Sequence, residues 1–182
     1  MGWKLLRRRS DEGGQVLTVW VVICFIPLFL MAAGIAIDFG AVYSQRAQYN
    51  HAAELAAKSG AAAITGYSDA GGYGNGALAA EGQAVSPTAE YAGWSWAAAT
   101  LHQSVASARL KAPQGLMITY LAAGQRDPCT GGVVQTPAEL VQFRGTSDGL
   151  FFASSAFHIG ILTYPVCQLA AISQAGASRV AG

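Results

Sequence analysis

Residues 16–37 form a run without a charged side chain, preceded by Lys4, Arg7, Arg8 and Arg9 and closed by Asp38. As a helix, about 22 residues extend roughly 33 Å, enough to cross a hydrocarbon core of about 30 Å. The apolar region of a removable signal is shorter, about 7–15 residues, although Ala32, Ala33 and Gly34 resemble a small-residue cleavage site. The run is therefore expected to be a retained membrane span. Beyond it the pattern turns mixed but meets no proline before Ile64. Val42, Tyr49, Ala53, Ala56 and Ala63 recur at helical spacings, while Gln45, Arg46, Gln48 and Lys58 fall largely elsewhere. The helix is expected to continue over residues 38–65 with a packing stripe of mostly small side chains. Pro27 removes one backbone hydrogen bond inside the span and predicts a bend near residues 23–27.

Glycines crowd residues 66–76, and residues 66–88 are read as hinge and loop. Pro87 then opens a second helical pattern over residues 89–111, with Tyr91, Trp94, Ala98, Leu101, Val105 and Ala108 on one stripe. Its aromatic face is expected to pack on a sheet. Strand candidates follow at residues 115–122, 133–134, 140–143 and 157–165, with an ambiguous closing strand at 169–177. Arg144, Asp127 and Pro128 are assigned to loops. Short strands after helices favour an α+β class: a long N-terminal transmembrane helix, then a head over residues 89–182 with one helix on an antiparallel sheet.

Composition sharpens this division. The chain is 52% hydrophobic and only 12% charged, against roughly 25% charged for an ordinary soluble domain. The basic residues before the span, against Asp38 and then Arg46 after it, place the leader of residues 1–15 in the cytoplasm and the head outside. Beyond the span the acidic side chains slightly outnumber the basic ones, so no basic patch for nucleic acid appears. Cys24 lies in the span as an apolar filler. Cys129 and Cys167 both lie in the outer part, where a disulfide would add about 3–4 kcal/mol; the alternative is two independent buried thiols.

Candidate chemistry is sparse. No Cys and His cluster has zinc-site spacing, and Asp69 and Asn75 read as loop residues rather than calcium ligands. Ser154 and Ser155 near His158 lack both a favourable geometry and the nucleophile-elbow motif, while Asp127, Glu139 and Asp148 are scattered singly. No catalysis, cofactor or metal is expected. Ala32, Ala36 and Gly40 stand four residues apart, a ridge along which another helix could approach, though small residues are common in membrane helices generally. Asp38 is either an interfacial residue solvated by headgroups and water or a contact with a partner subunit.

The order of features resembles the N-terminal signature of TadE/TadG-like proteins of the Tad (Flp) pilus assembly system. It runs through basic residues, a span with Pro27, Gly34, Asp38, Phe39, Gly40, Val42, Tyr43, Arg46, Asn50, Ala53, Glu54 and Gly60. The resemblance covers about a quarter of the chain. It implies a single-pass, pilin-like protein of the bacterial cytoplasmic membrane. Its partners would be membrane lipid and other pilus subunits or assembly proteins, and it would be oligomeric through its N-terminal helix. Ala32, Ala36, Asp38, Gly40 and Glu54 are the helix-packing candidates, with Glu54 standing where the family usually has aspartate. Prepilin leaders end in glycine with glutamate at the fifth mature residue. Here cleavage between Gly14 and Gln15 would place Val19 there, which points to the uncleaved, TadG-like type. The alternative from another class is a membrane-tethered binding or sensor module unrelated to pili.

Overall fold

The computed structural model describes residues 3–67, 85–147 and 161–172, with side chains from Val16 onward. The glycine-rich stretch beyond Tyr67, residues 157–160 and 173–177 of two strand candidates, and Asp69, Asn75, Ser154, Ser155 and His158 lie outside the described residues. One helix, α1 (Trp3–Gly66), carries both the apolar run and the alanine-rich continuation, with Pro27 inside it. A second helix, α2 (Pro87–Ser107), is followed by β1 (Gln114–Leu121), β2 (Ala138–Ser147) and β3 (Leu162–Ala171). The long apolar helix and the small domain of helix and three-stranded antiparallel sheet make an α+β fold. Two compact units divide at residue 42: the apolar half of α1 lies in one, and the rest of α1, α2 and the sheet in the other.

Local chemistry accounts for the ends of α2. Ser86 is its N-cap, accepting at Oγ from the Ala89 amide at 3.2 Å, and Pro87 occupies the first turn, where its missing N–H costs nothing. The helix stops at Ser107, short of Lys111, because Arg109 turns left-handed at φ 54° and Pro113 follows closely. The sheet is a meander, β1-β2-β3, with β2 central. Val141 pairs with Ile118 on one side and Gln168 on the other, and Phe143 pairs with Val166. Arg144 is not in a loop: it pairs with Gln114 and Pro165 in β2 and points to solvent, the exposed position of a strand whose neighbours are buried. Residues 133–134 form no strand; Val133 makes a single bridge to Arg126. The last two strand candidates are one strand, with Pro165 tolerated because β3 is an edge.

The core is built on the small-residue face of α1. Tyr49, Ala52, Ala53, Ala56 and Ala57 are buried against Ala97, Leu101 and Val105 of α2 and Val141, Phe143 and Val166 of the sheet. Tyr49 anchors this face: its hydroxyl donates to the Lys111 carbonyl at 2.8 Å and lies 3.3 Å from that of Thr146, and its ring meets Tyr164 edge-on at 5.8 Å. Farther along, α1 and α2 meet almost backbone to backbone. A methyl group on Gly60 would lie 3.0 Å from the Gly93 carbonyl and 2.9 Å from Glu139 Cγ, and one on Gly93 would lie 2.6 Å from Ile64. On the opposite face of the sheet, the segment after β1 is held by the Cys129–Cys167 disulfide, Cα to Cα 5.6 Å, and Leu140 and Val134 are buried.

Alanine is the better helix former by about 1 kcal/mol, so propensity alone would favour Gly60→Ala. The close approach reverses the sign: the substitution should destabilise the head by about 1–3 kcal/mol. Denaturant melts of the detergent-solubilised chain, followed by tryptophan fluorescence, measure this.

Candidate interaction site

The apolar half of α1 presents its side chains outward. None of its most apolar 18-residue window is buried within the chain, and Leu17, Phe25, Phe29 and Leu30 are all exposed. A core helix would hide these groups, so the exposure fits a membrane anchor, where lipid tails are the solvent. Ala32, Ala36 and Gly40 are exposed as well, and nothing lies within 4 Å of a methyl group placed on Gly40. Asp38 differs: it is 3% exposed. Gly14 and Gln15 fall inside α1 without described side chains. Glu54 is on the solvent side and accepts from Lys58 Nζ at 2.5 Å, four residues on. That hydrogen bond, followed by the charge of the ammonium, holds its carboxyl below the usual range. An exposed pair of this kind contributes little to stability.

The head's exposed aromatic surface departs from the sequence expectation. Tyr91 and Trp94 are 67% and 46% exposed and stack on each other with ring centroids 5.8 Å apart, while Trp96 is exposed on another side of the helix. They do not pack on the sheet. The buried stripe of α2 is Ala89, Gly93, Ala97, Leu101 and Val105, which lies beside the aromatic one and shares Leu101 and Val105 with it. Both stripes satisfy helical spacing. The small one wins because only Gly93 and Ala97 let α2 approach Gly60 of α1. The stacked pair of Tyr91 and Trp94 forms an apolar patch of the kind that marks contact sites.

A second feature escaped the pattern of the sequence. Glu139 is 1% exposed, lies in the central strand between Tyr120 and Ala170, and has an Oε2 atom without a hydrogen-bond partner. Burial, with a smaller contribution from the Glu90 charge, pushes its carboxyl up to about 7. Tyr164 is affected in the same direction, raised to about 12 by burial and then by Tyr49, with Arg46 opposing. The one early sign was position: Glu139 immediately precedes the strand candidate at residues 140–143. Asp127 is different in kind. It accepts from Thr130 Oγ1 and the Cys129 amide within its own loop, which hold its carboxyl below the usual range.

Residues 14–63 match the model of the Flp pilus-assembly TadE/G-like family. No curated protein and no solved structure matches the chain. The match supports a component related to the Tad pilus, and such a family suggests other pilus proteins as partners.

If the Tyr91 and Trp94 rings serve contacts rather than folding, truncating them should leave the head intact. Trp94→Ala should change stability by no more than about 1 kcal/mol, whereas Leu101→Ala on the buried stripe should cost about 2–5 kcal/mol. Paired denaturation curves for the two variants give the comparison.

Proposed function

We propose that this chain is a single-pass, pilin-like component of Tad (Flp) pilus assembly. Its N-terminus is cytoplasmic, its head lies outside the bacterial cytoplasmic membrane, and it works through protein contacts rather than catalysis. The observation that carries the reading is a coincidence of boundaries. The segment that matches the pilus-assembly family, residues 14–63, begins two residues before the exposed apolar run and stops within three residues of the end of α1. The matched unit is thus one helix with two surfaces: a lipid-compatible half and a half whose small residues pack the head.

Lateral assembly runs along the exposed ridge of Ala32, Ala36 and Gly40, where small side chains let a second helix approach closely. The head presents Tyr91, Trp94 and Trp96 to assembly partners. Its leader is retained, since Val19 cannot supply the acidic group that a processed subunit would carry at that position. The chain needs no cofactor and no nucleic acid in this role. The exposed aromatic rings also favour a second reading, a membrane-tethered module that captures a ligand outside the cell.

Deleting the gene in a piliated host separates the two. Surface pili should be lost or sharply reduced, and restored by the wild-type chain but not by one carrying Ala36→Ile with Gly40→Ile. Normal piliation after deletion would sink the pilus reading. Loss of a response to an external ligand, with pili intact, would establish the second.

A further inference from the structure

The junction of α1, α2 and the sheet holds an ionisable group in a place that suits only its neutral form. Glu139 is the second residue of β2, the central strand, with its Cγ 2.9 Å from where a methyl group on Gly60 would sit. Around Gly60 its Cγ, the Ala97 Cβ and the Gly93 carbonyl all close to within about 3 Å of that methyl position, so a side chain larger than hydrogen does not fit there. Its neighbours from each packed element can be named. From α1 it faces Gly60, and the nearby Lys58 is exposed and engaged with Glu54. From β3 it pairs with Ala170, and from β1 with Tyr120, a phenol that burial and Glu90 keep neutral. From α2 the charge that acts on it is that of Glu90, which has the same sign. No cation is among these neighbours, and Oε2 has no donor.

A buried carboxylate without donors is costly, while the protonated acid loses far less on leaving water. We propose that Glu139 makes the seating of α1 and α2 on the sheet dependent on a proton. As a neutral acid it lies quietly in the junction, and as a carboxylate it draws water in and loosens the contact between Gly60 and Gly93.

The folded head therefore holds a proton that the unfolded chain releases near the ordinary glutamate value of 4.5. The stabilisation is complete below that pH and is lost as pH rises through the folded value of about 7. Over that window the ratio of folded to unfolded molecules should fall by roughly ten- to a hundredfold.

The test uses the full chain in detergent micelles between pH 5 and 8.5. Hydrogen exchange, corrected for intrinsic base catalysis, is followed at residues 57–64 and 93–97, together with the infrared band of a protonated carboxyl. In the wild type, protection should fall across the window and the carboxyl band should disappear with it. Glu139→Gln should remove both changes and retain protection at pH 8.5. Glu90→Gln, at an exposed position, should move the wild-type transition to lower pH, so the proposal remains testable if Glu139→Gln does not fold. A wild-type junction with flat protection, a transition that persists in Glu139→Gln, or no protonated carboxyl band at pH 5 would each overturn it.

Discussion

The head depends on how closely α1 lets other elements approach its axis. Ala52, Ala53, Ala56, Ala57, Gly60 and Ala61 give that face almost no side-chain relief, so α2 and the sheet pack against something near bare backbone. Dispersion contacts gain from this proximity, but each alanine removes little apolar area from water. The large groups must then come from elsewhere: Phe143 and Val141 from the sheet, Leu101 from α2, and Tyr49 and Ile64 at either end of the alanine face. Tyr49 combines both requirements. Its ring fills the core, and its hydroxyl donates to the Lys111 carbonyl with that of Thr146 3.3 Å away, so the polar end of the ring does not go unpaired.

The same closeness explains the polar groups that the core tolerates. Glu139 Oε2 and the Tyr164 hydroxyl lie inside without hydrogen-bond partners, and each group is driven toward its neutral form by loss of water. A small domain has little stability to spare for such groups. The far side of the sheet holds a compensating element. There the Cys129–Cys167 disulfide limits the unfolded chain across 38 residues, which is worth about 4 kcal/mol on the chain-entropy account. That staple lies on the face where Leu140 and Val134 provide only a thin apolar layer.

Functionally, the chain divides its chemistry by surface. The first half of α1 exposes apolar groups, its second half buries small ones, and α2 turns three aromatic rings outward. The match to the pilus-assembly family covers the helix and not the head. A helix of this kind can be shared by proteins with different heads, because its demands are length, apolarity and small residues at a few positions.

Much of this was legible in the chain. The length of the uncharged run, its basic flank, the absence of proline between Pro27 and Ile64 and the α+β order of elements are local properties, set by side chains within a few turns of one another. The sequence alone also determined the pilus-related character of residues 14–63, through the ordered small and polar positions along one helix. Tertiary structure decided which of two equally periodic stripes of α2 is buried, that Arg144 belongs to a strand, and that Glu139 sits in the core. The reason is that burial is collective. Periodicity says which side chains share a face, but only the approach of α1, through Gly60, selects the face with room for another backbone and encloses the acid opposite it.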